Sequence, residues 1–250
     1  MRTWLGAAFA VLLALAGSSL VARAEEALPD EDQVDLMLVL AADISRSVDE
    51  RKFRLQRDGY AAALIDPRVL RAMTAGPNRR IAICYLEWAD DYAQKVIVDW
   101  SIIGSQAEAE DVAVRIREAP RSFWGRTSIS AAIDYSMRQI DRAYYKAPRQ
   151  VIDISGDGTN NSGREVTLVR DAAVARGVTI NGLVILSEIP LPANPAHTHP
   201  PGGLTAYYEN NVIGGPGAFV VEAKSFEVFG QAIISKLIKE IAEAPRAPRG

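Results

Sequence analysis

The sequence contains few of the residues that disulfide-rich proteins, enzymes and nucleic-acid-binding proteins depend on. Cys84 is the only cysteine among 250 residues, which excludes an internal disulfide, so stability must come from a buried core. The only histidines are His197 and His199, so the commonest acid–base catalyst near neutral pH is scarce. The chain has 28 Lys and Arg against 31 Asp and Glu and no basic block, which argues against a nucleic-acid partner.

Three motifs of enzymes and nucleotide-binding proteins are also missing. The sequence has no G-x-S-x-G elbow, no G-x-G-x-x-G after its first predicted strand and no P-loop lysine motif. Residues 155–159 echo the phosphatase pattern D-x-D-G-T, but Ser155 stands where that pattern has its nucleophilic aspartate. We therefore expect a protein that is not an enzyme, with a metal-assisted hydrolase as the minor alternative.

The first 24 residues have the pattern of a secretory signal peptide. Arg2 gives a positive start, residues 5–20 are apolar and small, and A-R-A at 22–24 supplies a signal-peptidase site. Gly and Ser at 17–19 interrupt the apolar run, which disfavours a membrane span, although an uncleaved N-terminal anchor is the alternative. We expect a bacterial protein that is cleaved after Ala24, periplasmic or secreted, and not embedded in a membrane afterwards.

Strands and helices alternate after residue 33, which predicts a mostly parallel sheet covered by helices on both faces. Apolar runs predict strands over residues 34–40, 81–88, 95–100, 150–155, 178–186 and 218–223. Helical spacing predicts helices over residues 49–65, 106–119, 128–144, 163–176 and 226–241. A short acidic turn at 89–91 indicates a hairpin. The predicted class is α/β: a three-layer, doubly wound, six-stranded, mostly parallel sheet with one antiparallel edge strand.

The chain is expected to form one domain over residues 33–241, because its length suits a single α/β core. A short linker at 25–32 precedes this domain, and a Pro- and Arg-rich tail at 242–250 is predicted to be disordered. Residues 189–203 are rich in Pro and Gly and are predicted to be a surface loop. Both histidines fall in this loop, and two ligands make a poor zinc site, so the preferred interpretation is an exposed pair.

Polar residues follow the strands that we place in the centre of the sheet. Asp43, Ser45 and Ser47 follow the first strand, Thr127 precedes the helix at 128, and Asp157 follows the fourth strand. Because the carboxyl ends of neighbouring parallel strands meet in one crevice, these oxygens from three loops are expected to converge. Such ligands suit Mg²⁺, our first choice, or Ca²⁺ or Mn²⁺, rather than zinc.

These residues resemble the metal-ion-dependent adhesion site of the von Willebrand factor A (vWA) family. The family pattern D-x-S-x-S is met by Asp43, Ser45 and Ser47, its loop threonine by Thr127 and its later aspartate by Asp157. More narrowly, the chain looks like the bacterial exported subfamily called domain of unknown function 1194. The resemblance implies a vWA, Rossmann-like fold in which the hydroxyls bind the metal directly and the aspartates often bind it through water. It also implies an open coordination position for a partner's carboxylate.

Each of these ligands also has a structural alternative. Ser47 and Glu50 form an S-x-x-E capping box, Thr127 stands where a helix N-cap belongs, and Asp157 begins a common Asp-Gly turn. Asp153, inside the fourth strand, has two open interpretations. It is either an acceptor that supports the serines from behind, or a carboxylate that is hydrogen-bonded within the core.

Arg46 and Arg126 depart from the family pattern, because small residues are usual at both positions. Their positive charge is expected to oppose a nearby cation, and exposed side chains can swing away from it. Guanidinium groups pair with carboxylates in bidentate geometry, so both arginines are predicted to line the partner-binding rim and favour acidic ligands.

The sequence thus predicts an exported module that binds a divalent cation and completes its coordination with an acidic group of a protein partner. The main alternative is an envelope assembly or metal-handling factor that acts on another exported protein.

Overall fold

The computed structural model describes residues 31–242, in which six strands form one sheet. The strands are β1 (Met37–Asp43), β2 (Ile81–Trp88), β3 (Gln94–Ile103), β4 (Gln150–Gly156), β5 (Thr179–Ile185) and β6 (Val220–Ala223). Their order across the sheet is β3-β2-β1-β4-β5-β6. Only β2 and β3 pair antiparallel, while the other neighbours pair parallel. The predicted fold class, with one antiparallel edge strand, is confirmed.

The central strands are buried on both faces of the sheet, as their unbroken apolar runs predict. Every residue of β1 and β2 is buried, whereas in the edge strand β3 only Val98 and Ile103 are buried. Along β1, Leu38 and Leu40 join one core cluster, and Val39 and Ala41 join the other. This period of two divides the molecule into two cores, one on each side of the sheet.

The described residues form eight α-helices, seven of which contribute to the cores on the two faces of the sheet. They are α1 (Glu50–Leu64), α2 (Pro67–Met73), α3 (Gln106–Glu118), α4 (Ile129–Asp141), α5 (Val166–Ala175), α6 (Pro195–Thr198), α7 (Leu204–Asn211) and α8 (Phe229–Ala242). Residues from α1, α2, α3 and α8 fill one core, and residues from α4, α5 and α7 fill the other. These are the two outer layers of the predicted three-layer arrangement.

Three of these helices were not predicted. Helices α2 and α7 are short, with seven and eight residues, and α6 is a four-residue turn inside the segment predicted to be a loop. The loop prediction for 189–203 is therefore wrong at residues 195–198. Asp66 caps α2, and Pro67 occupies its first turn, so the start signal was present without a long amphipathic stripe.

Helix α8 lies directly on α1 because α1 has no side chain at Gly59. A Cβ placed there would lie 2.5 Å from Cδ1 of Phe229, which real atoms do not tolerate. The ring of Phe229 is fully buried and meets Tyr60 edge-on, with 5.2 Å between centroids. This contact fixes α8 against the sheet face on which α1 packs.

Within residues 31–242, no helix has both the length and the apolar character needed to cross a membrane. The predicted signal peptide at 1–24, residues 25–30 of the predicted linker at 25–32, and residues 243–250 of the predicted disordered tail lie outside the described residues. Ala242, which we assigned to that tail, is the last residue of α8.

Candidate metal centre

The serine loop, residues 43–47, leads from the end of β1 toward α1 and folds back on its own aspartate. Asp43 Oδ1 accepts a hydrogen bond from the Ser45 N–H at 2.7 Å. The Ser45 and Ser47 hydroxyl oxygens lie 3.2 Å apart, and the Ser47 hydroxyl donates to Asp157 Oδ1 at 2.6 Å. Four of the five predicted ligands are thus linked across two loops.

The capping-box interpretation of Ser47 is wrong. Asp49 is the N-cap of α1, and its carboxylate accepts the Lys52 N–H at 2.8 Å. The Ser47 hydroxyl is therefore not used by the helix and faces Asp157 instead. The same explanation fails for Thr127, because Ser128 is the N-cap of α4 and accepts the Ala131 N–H.

Two carboxylates at this site are buried with oxygens that lack a hydrogen-bond partner. Asp43 is fully buried and Asp157 is 2% exposed. The Oδ2 atom of each has no partner in the described structure. Burial, with the neighbouring charge of Asp157, raises the pKa of Asp43 to about 8. Because paired buried carboxylates are costly unless a cation balances them, this donor set fits a divalent ion.

Lys52 places an ammonium group beside these carboxylates and was not among the predicted site residues. Its Nζ atom donates to the Ser47 carbonyl at 2.8 Å and lies 3.6 Å from Asp157 Oδ2, too far for a hydrogen bond. The side chain is 28% exposed, so water reaches it. Lys52 balances the two carboxylates only in part.

Thr127, the fifth predicted ligand, is held in place by Asn161. The Thr127 N–H donates to Asn161 Oδ1 at 2.9 Å, and the Thr127 carbonyl accepts the Asn161 N–H at 2.8 Å. Ser162 also donates its N–H to this carbonyl, while its hydroxyl donates to Asp90. Because residues 161 and 162 are engaged here, α5 begins at Val166 and not at the predicted residue 163.

His197 lies at this site, so its interpretation as an exposed loop residue is wrong. The side chain is 3% exposed, with Nε2 3.3 Å from Thr127 Oγ1, whereas His199 is exposed. Gly158 makes room for the ring, because a Cβ at that position would overlap it. Burial lowers the pKa of His197. No local signal marked this contact, since His197 and Thr127 are 70 residues apart in the chain.

Arg46 and Arg126 are both exposed beside the serine loop. The Arg46 N–H donates to the Gly125 carbonyl at 2.9 Å, so their two loops touch. The Arg126 guanidinium donates to the Asn161 carbonyl. Arg121, which was not among the predicted site residues, donates to the carbonyl of Ile44 at 2.5 Å and thereby braces the serine loop.

Asp153 does not support the serine loop, so that interpretation is wrong. Its carboxylate pairs with Lys236 Nζ at 2.7 Å, and Lys236 also donates to Glu240 Oε1 at 2.8 Å. All three side chains are fully buried between β4 and α8. We call Asp153, Lys236 and Glu240 the buried ion-pair network.

The described residues contain no cluster of three or more His, Cys, Asp or Glu side chains that could hold a metal. The candidate centre therefore depends on hydroxyl oxygens together with two aspartates.

The sequence model of the family described as "Protein of unknown function (DUF1194)" matches residues 33–245. The chain belongs to the DUF1194 family. No curated protein shows significant similarity to this DUF1194 chain.

Solved structures similar to this DUF1194 chain contain vWA domains. Proximal thread matrix protein 1 from the mussel byssus, with a zinc-occupied MIDAS motif, is 15% identical with a TM-score of 0.57 over 84% of this chain and 46% of that one. A von Willebrand factor type A protein from Catenulispora acidiphila is 13% identical with a TM-score of 0.52, over 84% of this chain and 42% of that one. Manganese-loaded TRAP protein from Plasmodium vivax is 17% identical with a TM-score of 0.50, over 84% of this chain and 74% of that one. The predicted vWA fold is confirmed, and the DUF1194 chain spans less than half of the mussel protein's length.

Proposed function

We propose that this DUF1194 chain is an exported, non-enzymatic interaction module that binds a protein partner through a divalent cation. The proposed ligands are Asp43, Ser45, Ser47, Thr127 and Asp157. The observation that supports this proposal most is the pair of buried Oδ2 atoms, on Asp43 and Asp157, that have no hydrogen-bond partner in the described structure. A cation bound by both carboxylates and the neighbouring hydroxyls balances their charge and leaves a position for a partner's carboxylate.

Mg²⁺ is the proposed ion, with Mn²⁺ and Ca²⁺ as alternatives, because the donors are oxygens. Among similar folds, the mussel protein holds zinc at its MIDAS motif and the Plasmodium protein is loaded with manganese. These structures support a divalent cation at this position of the fold without choosing the ion.

An acidic group is the proposed feature of the partner. Arg46 and Arg126 are exposed beside the serine loop, where their guanidinium groups can receive a carboxylate. Export is proposed from the signal-peptide pattern of the first 24 residues, which would place the partner in the periplasm or outside the cell.

Titration calorimetry with Mg²⁺, Mn²⁺ and Ca²⁺ tests the proposal. The wild-type chain should bind at least one of these ions, and Asp43→Ala should abolish binding. Asp111→Ala, which removes an exposed carboxylate on α3, is the matched control and should bind as wild type does. Absence of binding by the wild-type chain to all three ions would refute the proposal.

A pull-down from envelope extract, with and without chelator, tests the interaction itself. A partner that is retained only while the cation is present supports the module. Esterase and phosphatase assays run alongside, because metal-stimulated turnover of a small substrate would instead support a hydrolase.

A further inference from the structure

A histidine is built into the candidate metal centre from a segment that contributes none of the five proposed ligands. His197 lies on α6 and is 3% exposed. Its carbonyl accepts the Thr159 N–H at 2.9 Å, which ties α6 to the loop after β4. The ring covers Gly158, next to Asp157. The position of this imidazole is therefore fixed by both its backbone and its ring.

The side chain of Asn161 indicates which ring nitrogen carries the proton. Its Oδ1 atom accepts the Thr127 N–H at 2.9 Å, so its Nδ2 atom is the one that faces His197, 3.3 Å from Nδ1. An amide NH₂ group only donates, so Nδ1 must accept. The Thr159 hydroxyl, also 3.3 Å from Nδ1, can donate to the same atom.

A neutral imidazole has one N–H and one acceptor nitrogen, so an accepting Nδ1 leaves the proton on Nε2. The Nε2 atom lies 3.3 Å from Thr127 Oγ1. We infer that His197 is a positioning residue whose Nε2–H donates to the Thr127 hydroxyl and turns a lone pair of that oxygen toward the cation. This inference rests on the proposed cation site.

In this arrangement His197 is not itself a metal ligand. With its proton on Nε2 and its Nδ1 lone pair engaged by Asn161, the ring has no free lone pair to give to a metal ion. The Thr127 hydroxyl has two lone pairs, of which one takes the His197 proton and the other remains for the ion. The site should therefore keep the ion preference of oxygen ligands, and not the zinc preference that an imidazole ligand brings.

Two amide substitutions at position 197 test which ring nitrogen donates to Thr127. A glutamine places its NH₂ group near the Nε2 position and can still donate to Thr127, whereas an asparagine reaches only the Nδ1 position. His197→Asn and His197→Ala should weaken Mg²⁺ or Mn²⁺ binding by roughly 10–100-fold, the range for partners that orient a metal ligand. His197→Gln should stay close to wild type. His199→Asn, an exposed residue of the same segment, is the matched control.

Nuclear magnetic resonance of the wild-type chain gives a readout that needs no variant at position 197. Long-range ¹H–¹⁵N correlations separate the two neutral tautomers, and His199→Asn assigns the two ring signals. His197 should show the Nε2–H pattern, both without cation and with saturating Mg²⁺. The Nδ1–H pattern would overturn the inference.

The remaining outcomes separate this inference from the proposed function. If wild type binds cations but the Gln and Asn variants bind equally well, His197 does not position Thr127 and the cation site stands. If His197→Ala loses far more affinity for Zn²⁺ than for Mg²⁺, His197 is a ligand and the inference is wrong. If wild type binds no cation, the proposed function itself fails.

Discussion

The candidate metal centre and the buried ion-pair network each hold two buried carboxylates, but they balance this charge differently. In the network, Lys236 Nζ lies 2.7 Å from Asp153 and 2.8 Å from Glu240, and all three side chains are fully buried. At the metal centre, Lys52 Nζ lies 3.6 Å from Asp157 Oδ2 and is 28% exposed. One carboxylate pair has a buried ammonium group in contact with it, and the other, which has none this close, is where we propose that a cation from solution binds. What distinguishes the two pairs is therefore the distance to a counter-charge of the protein, and not the burial of the acids.

The largest expected effect tests the network half of this comparison. Lys236→Met should lower the free energy of unfolding by roughly 3–5 kcal/mol, because it leaves two buried carboxylates without their cation. Urea unfolding monitored by circular dichroism measures the change. Lys224→Met, at an exposed position, is the control and should change stability little. Equal stability of the two variants would mean that Lys236 does not balance the network.

The next effect is the pH dependence of stability without divalent cations. Burial raises the pKa of Asp43 to about 8, well above its value in the unfolded chain. The folded protein therefore binds the proton of Asp43 more tightly than the unfolded chain does. The stability that this proton contributes is fully present below about pH 4 and is lost as the pH rises toward 8. The loss should reach a few kcal/mol, since each pKa unit corresponds to about 1.4 kcal/mol. Thermal unfolding between pH 5 and 8 measures it.

The ion-pair network contributes in the same pH range, because burial raises the pKa of Asp153 to about 7 despite Lys236. The two contributions are separable. Asp43→Asn, or saturating Mg²⁺ added to wild type, should remove the contribution of the candidate metal centre to the pH dependence of stability. The contribution of Asp153 should remain. A pH profile that neither change alters would contradict the comparison.

A smaller effect is expected from the ammonium group at the metal centre. Lys52→Met should raise the affinity for Mg²⁺ by about tenfold, because it removes a positive charge near Asp157 that opposes the ion. Lys52→Arg keeps the charge and is the matched control. Calorimetric titration compares the three proteins, and a weaker affinity of Lys52→Met would show that Lys52 supports the site.

The sequence predicts the sheet well because its signals are local. Each residue of β1 and β2 is buried, so an apolar run is sufficient to mark these strands. Helices α2, α6 and α7 escaped prediction because each is too short to repeat an apolar stripe.

The residues of the candidate metal centre also differ in how well the sequence predicts them. Asp43, Ser45 and Ser47 are readable because they stand in a fixed pattern at the end of one strand. His197 and Lys52 are not, since their roles arise from contacts with residues that are distant in the chain. For Asp153, the sequence shows a buried charge but does not show that Lys236 is its partner.

The smallest expected effect concerns the rim and separates binding from stability. Arg46→Glu and Arg126→Glu should each weaken binding of an acidic partner by about fivefold, roughly 1 kcal/mol, because exposed charges are screened by water and salt. Neither should change the unfolding free energy as Lys236→Met does. Arg71→Glu, on α2, is the charge-matched control. If both rim variants bind the partner as wild type does, the arginines do not belong to the binding surface. Raising the salt concentration should reduce any difference in partner affinity between the variants and wild type.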